Sequence, residues 1–471
     1  MKNGRSRLPS RQRVKYVISD FMTTSVAFLL FNIYRFHYFG NYTQAMDYIF
    51  SSKLVVEEVT VPLVMLGVYW LSGYYNNPFG KSRLQELLTT FFSALINSAL
   101  VYLVLLINDQ TGERRLNYEM LIVLTGLLFI FPYLGRLTLT DLARNHFRTH
   151  RWQFNCLVVG NSAKSRETAG MLLGSGRVDY RIIGFVEIPG EHRIEDGETL
   201  YNLSELRSVC ETMDIDQVVI AMERYDDDKV MNILRELYTL EIPVKIAPDT
   251  LSYVTSAIRL KDIYGEPFVD LTVPMMSESS KNVKRLFDVV ASVMVMLLLS
   301  PLYIAIGLLV RLDSAGGVLY SQERIGRRQR PFRIYKFRTM NTDAESGVPM
   351  LSNDSDTRIT RVGRVLRKYR LDELPQFWNV IKGDMSIVGP RPERAYFIRQ
   401  IVEKAPYYTL VYQVRPGITS WGMVKFGYAS NLEEMIERTR YDLIYMANMS
   451  LLVDMKILIY TVRTVIKGKG I

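Results

Sequence analysis

Asp372 and Glu373 are adjacent carboxylates placed just before a proline, in the stretch Arg367-Lys368-Tyr369-Arg370-Leu371-Asp372-Glu373-Leu374-Pro375-Gln376-Phe377-Trp378-Asn379. Pro375 suits the first turn of a helix, where its missing N–H leaves nothing unpaired. Phe377, Trp378, Val380 and Ile381 would anchor that helix. The acids then sit near a helix N-terminus, where the backbone dipole favours negative charge. Arg367, Lys368 and Arg370 add positive charge, and both effects favour the ionised form that an attacking carboxylate or a metal ligand needs. Neighbours in a turn point in different directions, so one acid can face a substrate phosphorus while the other holds a cation. An isolated Asp-Glu pair would be explained better by a helix cap followed by a solvated acid.

The surrounding stretches change that weighting. Seven basic residues and one acid fall within Gln322–Met340, where Phe332, Ile334 and Phe337 alternate with Arg333, Tyr335 and Lys336. Such a stretch suits a nucleic acid, an anionic lipid or a diphosphate. Its place directly after an apolar run disfavours nucleic acid. Downstream, Pro390-Arg391-Pro392 and Arg415-Pro416 present arginines on proline-stiffened backbone, which suits phosphate recognition or a plain structural turn. All four histidines lie at or before His192, so chemistry near Asp372 must use carboxylates, Lys, Arg, Tyr or hydroxyls.

These groups must be positioned by a chain of 471 residues with formal net charge +10 and 11% aromatic residues, long enough for several domains. Cys156 and Cys210 carry neither a disulfide framework nor metal-ligand spacing, as in a reducing, cytosol-facing compartment. Four apolar runs, about Tyr16–Phe36, Val55–Tyr74, Leu84–Ile107 and Tyr118–Leu139, each approach the ~20 residues that span a bilayer. Basic residues before the first run, between the second and third, and after the fourth place both ends of this four-helix unit in the cytoplasm. The first outer loop, around Phe39–Ser52, is almost uncharged.

From about 151 to 276 the texture changes to short apolar runs alternating with helical patterns. Strands are predicted at Asn155–Gly160, Arg181–Glu187, Gln217–Met222 and Val244–Pro248, and helices at Ser165–Leu173, Leu203–Met213 and Asp227–Leu240, which implies a Rossmann-like α/β domain. Gly160-Asn161-Ser162-Ala163 lacks the further glycines of a dinucleotide fingerprint, so an accessory role is favoured over cofactor binding. Asp226-Asp227-Asp228 reads as a helix start rather than a metal cluster.

A polar linker is expected at Ser277–Asn282. The apolar run Val289–Val310 follows, broken by Ser300-Pro301 and flanked at both ends by basic residues. A kinked fifth span is one reading. A re-entrant hairpin, about 286–310, keeps both ends on the cytoplasmic side, with groups such as the Ser300 hydroxyl serving the broken backbone. The tail, about Leu451–Ile466, reads as an amphipathic helix on the bilayer or on the domain.

Taken together, about Lys281–Ile471 resembles the bacterial sugar transferases that move a sugar phosphate onto a polyprenyl phosphate. The stretches that carry the resemblance are Lys284-Arg285…Asp288, Ser300-Pro301, Gln322-Glu323-Arg324-Ile325-Gly326, Tyr335-Lys336-Phe337-Arg338-Thr339-Met340, Leu371-Asp372-Glu373-Leu374-Pro375-Gln376, Lys382-Gly383-Asp384-Met385-Ser386 and Gly389-Pro390-Arg391-Pro392. The resemblance implies a mainly helical catalytic domain, 277–471, behind accessory domains at 1–150 and 151–276. Asp372 matches the family's attacking carboxylate and Glu373 its magnesium-holding acid. Lys336, Arg338, Arg367 and Arg391 match its diphosphate-facing cations, and Arg415 joins them as a second proline-stiffened arginine. Two departures stand out: Gly316-Gly317 where members commonly have Gly-Pro, and Arg370 where they often have a small hydroxyl residue.

The resemblance thus implies an inner-membrane enzyme with its catalytic face in the cytoplasm. It would use Mg2+, a UDP-sugar donor and a polyprenyl (undecaprenyl) phosphate acceptor, sit among membrane lipids, bind no nucleic acid and form a homodimer. Glucose or galactose 1-phosphate is the family-level expectation for the group transferred, in an initiating step of exopolysaccharide, capsule or O-antigen synthesis. Two rivals stand beside it. An NAD-dependent nucleotide-sugar dehydratase or epimerase would work in the α/β block, and a non-catalytic membrane scaffold would use the basic stretch for lipids alone.

Overall fold

The computed structural model describes residues 7–38, 52–76, 78–79, 83–106, 114–174, 179–190, 199–223, 225–238, 240, 242–247, 269–270, 276–341, 356–427, 429 and 431–466. The outer loop expected around Phe39–Ser52 falls almost wholly outside them.

The first apolar runs form α1 (Arg7–Tyr38), α2 (Ser52–Leu71), α3 (Arg83–Val101, continued by a π turn at Tyr102–Leu106) and α4 (Arg114–Arg148). All four are long and apolar enough to cross a membrane. Their outward faces carry exposed apolar residues such as Val55, Leu63 and Ile122. The inward faces are mixed. On α1 the buried stripe Gln12, Tyr16, Asp20, Thr24, Phe28 and Phe31 runs from polar to apolar at helical spacing. On α3 it reads Glu86, Thr90, Ser93, Ala94, Asn97, Ser98 and Val101. Lipid is as apolar as leucine, so buried polar groups give such helices something specific to pair with.

The next block builds one sheet from β1 (Phe154–Val159), β2 (Tyr180–Glu187), β3 (Leu200–Asn202), β4 (Gln217–Ile220), β5 (Val244–Ile246) and β6 (Val269–Asp270), with α5 (Ala163–Leu173), α6 (Leu206–Thr212) and α7 (Asp227–Tyr238) interspersed along the chain. The strand order is β3-β2-β1-β4-β5-β6. Neighbours run parallel except the β5–β6 pair. Both faces are covered, which explains the unbroken apolar runs. Leu157, Val159, Val218 and Ile220 enter one core cluster and Cys156, Val158 and Val219 the other. Gly160 follows β1 at φ +125°, and a Cβ there would sit 2.3 Å from the Ala221 carbonyl oxygen and 2.6 Å from Ser165 Oγ. Close packing between the first crossover and β4 therefore explains this glycine.

The remaining chain opens on α8 (Glu278–Leu298) and α9 (Ser300–Asp313), bent by 63° at Leu299. The linker expected at Ser277–Asn282 is instead the start of α8. Ser277 caps it, accepting from the Ser280 amide at 3.2 Å. At the break Ser300 Oγ donates to the Leu297 carbonyl at 2.8 Å, the role expected of it. An antiparallel hairpin, β7 (Leu319–Ile325) with β8 (Pro331–Phe337), follows. Then come α10 (Arg361–Lys368), a tight 3-10 turn at Leu371–Glu373, α11 (Gln376–Lys382), β9 (Ser386–Val388), α12 (Ala395–Lys404), β10 (Gly417–Thr419), α13 (Trp421–Lys425), α14 (Leu432–Ala447) and α15 (Leu451–Ile466). Val380, Met385, Ile401, Tyr445 and Ile457 lie in their shared core. On α15, Ile457 faces this core while Leu452, Met455, Ile459 and Val462 stay exposed, so one helix face packs and the other does not.

Candidate active site

Local chain geometry brings the two acids together with four cations. Arg370 adopts a left-handed backbone at φ 55°, which reverses the chain after α10 and starts the turn holding Asp372 and Glu373. Both acids are buried. The short α11 then begins after Pro375 and stops at Gly383, whose φ of 102° ends it as glycine can. The turn is pinned from the broken helix: Tyr303 on α9 donates its hydroxyl to the Leu374 carbonyl at 2.6 Å. Asn379, fully buried on α11, locks β8 against it. Its amide donates to the Arg333 carbonyl at 2.7 Å, and its oxygen accepts from the Tyr335 amide at 3.1 Å.

That lock places Lys336 between the acids. Its Nζ lies 2.8 Å from Glu373 Oε1 and 3.9 Å from Asp372 Oδ2. Arg370 donates through Nε to Glu373 Oε2 at 3.2 Å, and its Nη2 bonds the same oxygen. Arg391 approaches Glu373 Oε1 at 3.4 Å. The loop that carries Arg391 is held by α14, where buried Asp442 accepts from the Arg391 amide at 3.3 Å and from the Gly422 amide at 2.9 Å. Met423, beside that glycine, puts its sulfur 3.1 Å from Arg391 Nη1.

The two acids therefore differ. Burial alone would raise Glu373, but Arg370, Lys336 and Arg391 hold it well below the usual carboxylate range. Burial pushes Asp372 above its ordinary value, opposed first by Lys336 and reinforced by the charge of Glu373. So the expectation that the surroundings favour the ionised form is met at Glu373, whereas at Asp372 burial works against it. Asp372 is the more basic and the less engaged, which are the properties of a nucleophile. Glu373 is the hub that organises cations. Burial brings Lys336 below the usual lysine range, although both carboxylates favour its charge.

The other residues singled out from the sequence are distributed as follows. Arg367 sits on α10 with Nε 2.9 Å from Thr339 Oγ1, and its charge acts on Asp372. Arg338 points elsewhere, donating to the carbonyls of Ala315 and Ser314 at 2.6 and 2.7 Å, where it fastens the end of α9. Arg415 donates to the Gly383 carbonyl at 3.0 Å, at the end of α11 remote from the acid turn along that helix. Burial, together with the charges of Arg285, Arg327 and Arg328, brings it down to about 10. Ser300 and Pro301 lie at the break between α8 and α9. Trp378, expected as an anchor, is exposed, while its neighbour Asn379 takes the buried place. The sequence reasoning missed Tyr303, Asn379, Asp442 and Met423. For β8 a signal existed in the alternation Phe332-Arg333-Ile334-Tyr335. For Tyr303, Asp442 and Met423, which reach the site from distant elements, none did.

Among the described residues no group of three or more His, Cys, Asp or Glu side chains converges on a point. Asp372 and Glu373 supply the one or two carboxylates by which magnesium accompanies substrate phosphates, so they fit an ion arriving with a diphosphate rather than a self-contained protein cage.

A family profile described as "Bacterial sugar transferase" matches residues 279–468. A "UDP-glucose:undecaprenyl-phosphate glucose-1-phosphate transferase" of Xanthomonas campestris pv. campestris is 30% identical over 357 residues, covering 73% of this chain and 74% of that protein. The chain belongs to the bacterial sugar transferase family. A "UDP-N-acetylgalactosamine-undecaprenyl-phosphate N-acetylgalactosaminephosphotransferase" of Aeromonas hydrophila is 44% identical over 188 residues, 40% of this chain and 44% of the relative. A "UDP-glucose:undecaprenyl-phosphate glucose-1-phosphate transferase" of Escherichia coli (strain K12) is 35% identical over 263 residues, 55% and 57% respectively. The chain spans about half the length of these last two relatives. The acid turn, the broken helix and the cations around Glu373 all lie within the sugar transferase region, and the four-helix unit and the sheet lie outside it.

Proposed function

We propose that this chain transfers a hexose 1-phosphate from a UDP-sugar to a polyprenyl phosphate such as undecaprenyl phosphate, and so starts a surface polysaccharide. The supporting observation is the asymmetry of the acid pair: a buried, basic Asp372 beside a Glu373 clamped by three cations. Relatives named for undecaprenyl-phosphate sugar transfer support the substrate classes.

An Asp372 oxygen attacks the sugar-bearing phosphorus, and the bond from that phosphorus to the bridging oxygen breaks. UMP leaves with the electron pair, and an aspartyl phosphosugar remains. A phosphate oxygen of the polyprenyl phosphate then attacks the same phosphorus and expels the Asp372 carboxylate, giving polyprenyl diphosphate sugar. Lys336, Arg370 and Arg391 face the oxygens on which charge gathers, where fixed cations lower the barrier. Glu373 would hold magnesium, which supplies further charge neutralisation to the diphosphate when bound.

In this reading α8 and α9 form a re-entrant hairpin. Both of its ends and the acid turn lie at the cytoplasmic face of the inner membrane. The sheet is a Rossmann-like accessory domain.

The test is a screen of UDP-sugars with undecaprenyl phosphate and full-length protein in detergent. Release of UMP from at least one donor is expected. Release from none would reject the proposal in favour of a non-catalytic scaffold.

A further inference from the structure

The four-helix unit meets the catalytic half at the turn after α2. Gly73 lies in that turn at φ +77°, and a Cβ built on it would fall 2.8 Å from the Glu278 backbone carbon and from the Ser279 nitrogen. Three residues on, Asn76 donates its side-chain amide to Glu278 Oε2 at 2.7 Å and to Asn282 Oδ1 at 3.3 Å. Asn282 in turn donates to the Trp70 carbonyl. All three partners, Glu278, Ser279 and Asn282, belong to the opening turns of α8.

The turn is held from beneath by charges buried in the bundle. Arg136 on α4 is fully buried and grips both oxygens of Asp20 on α1 at 2.8 Å. Its guanidinium lies 3.6 and 3.5 Å from the ring centres of Tyr69 and Tyr74. Tyr75 donates its hydroxyl to Asp20 at 2.7 Å, and Tyr74 donates to Glu86 on α3. Ionisable groups inside a membrane unit are costly and persist where they hold something in place. Here they hold Tyr74 and Tyr75, the two residues between Gly73 and Asn76.

On its far side α8 reaches the helix that follows the acid turn. Arg285 donates to the Val380 and Ile381 carbonyls at 2.8 and 3.2 Å, at the end of α11, the helix that follows Asp372 and Glu373. We propose that the turn 72–76 is a docking socket for the start of α8, through which the four-helix unit sets the depth and tilt of the broken helix. By that route it presents the acid pair to the lipid acceptor. This rests on the transfer reading above. A water-soluble donor reaches the acids whatever the tilt, whereas a lipid-borne phosphate reaches them only when they stand at headgroup depth. Damage to the socket should therefore spare the donor step and impair the acceptor step.

The experiment uses the full-length protein in liposomes, with a donor from the screen. The acceptor-free burst of UMP and the KM for undecaprenyl phosphate are both read. Asn76→Asp sets a carboxylate against Glu278, and Glu278→Gln in that background restores the hydrogen bond with donor and acceptor exchanged. Expected are an unchanged burst, a rise in acceptor KM of about tenfold in Asn76→Asp, corresponding to one lost hydrogen bond, and recovery in the double variant. Gly73→Ala, which forces the same surfaces apart, should share the defect. An acceptor KM at the wild-type value in both single variants overturns the proposal. So does a loss of burst in step with the acceptor defect, since the socket would then serve stability alone. Absence of a burst in the wild-type protein would instead bring down the covalent step of the transfer reading.

Discussion

Replacing Lys336 by methionine keeps the length of the side chain and removes the cation lying between the two acids. Glu373 retains Arg370 and Arg391, so the turn keeps its fastenings. Asp372 loses the group that most opposes the effect of burial on it. Two unit charges 3.9 Å apart attract by about 4 kcal/mol at an effective permittivity of about 20. Each ~1.4 kcal/mol is a factor of ten, so the proton affinity of Asp372 should rise by on the order of a hundred- to a thousandfold. The sign matters: the carboxylate must be ionised to attack, so raising its proton affinity moves the acid limb of kcat/KM to higher pH, and alkaline buffer restores rate. An alkaline limb is expected of the parent enzyme, where Lys336 loses its proton below the usual lysine range, and should be absent from the variant. The assay is UMP release against pH for both proteins. An acid limb in the same place, with activity lowered equally at every pH, would show that Lys336 does not act through the charge of Asp372.

Three further outcomes are expected. Tyr303→Phe leaves the Leu374 carbonyl with the Phe377 amide alone, a loss of one hydrogen bond worth about 0.5–1.5 kcal/mol; kcat should fall about three- to tenfold while the donor KM stays within about twofold, and an unaltered kcat would detach α9 from the acid turn. Arg136→Leu leaves Asp20 buried without its partner, which costs about 3–5 kcal/mol; the midpoint of thermal unfolding in detergent should drop, with Asp20→Leu in the same protein recovering a large part. Glu373→Gln should flatten the dependence of UMP release on magnesium concentration, and an unchanged titration would remove Glu373 from metal binding.

What was legible in the sequence was mostly local. The apolar runs gave the four long helices, and Ser300-Pro301 gave the break, because a proline acts on its own turn. Gly383 ended α11 for the same kind of reason. The alternation of short runs gave four strands of the sheet, though not the brief β3 and β6, which are too short to carry a pattern. The acid pair was legible as chemistry, and the resemblance implied its two roles, but the difference between their surroundings was not legible. That depends on Lys336, Arg370 and Arg391 arriving from three different stretches onto one oxygen pair. Arg338 and Arg415 show the limit plainly: a guanidinium that fastens backbone carbonyls and one that faces a phosphate look alike in a string of letters. The linker at Ser277–Asn282 misled because its polar residues read as loop, whereas Ser277 caps a helix whose first turns lie against the socket. The polar stripe of α3 was hidden for a related reason, since inside a membrane unit the buried face need not be the apolar one.

The most direct measurement is of the protein itself during one turnover. Full-length enzyme is mixed with its UDP-sugar and no acceptor, and the peptide that holds Asp372 is weighed. Expected are a UMP yield matching the enzyme present and a mass gain of one sugar phosphate on Asp372. The mass should disappear when undecaprenyl phosphate is added and never form in Asp372→Asn. UMP released only after the acceptor is present, with no sugar phosphate on the protein at any time, would mean that the lipid attacks the donor directly and that Asp372 is not the carrier.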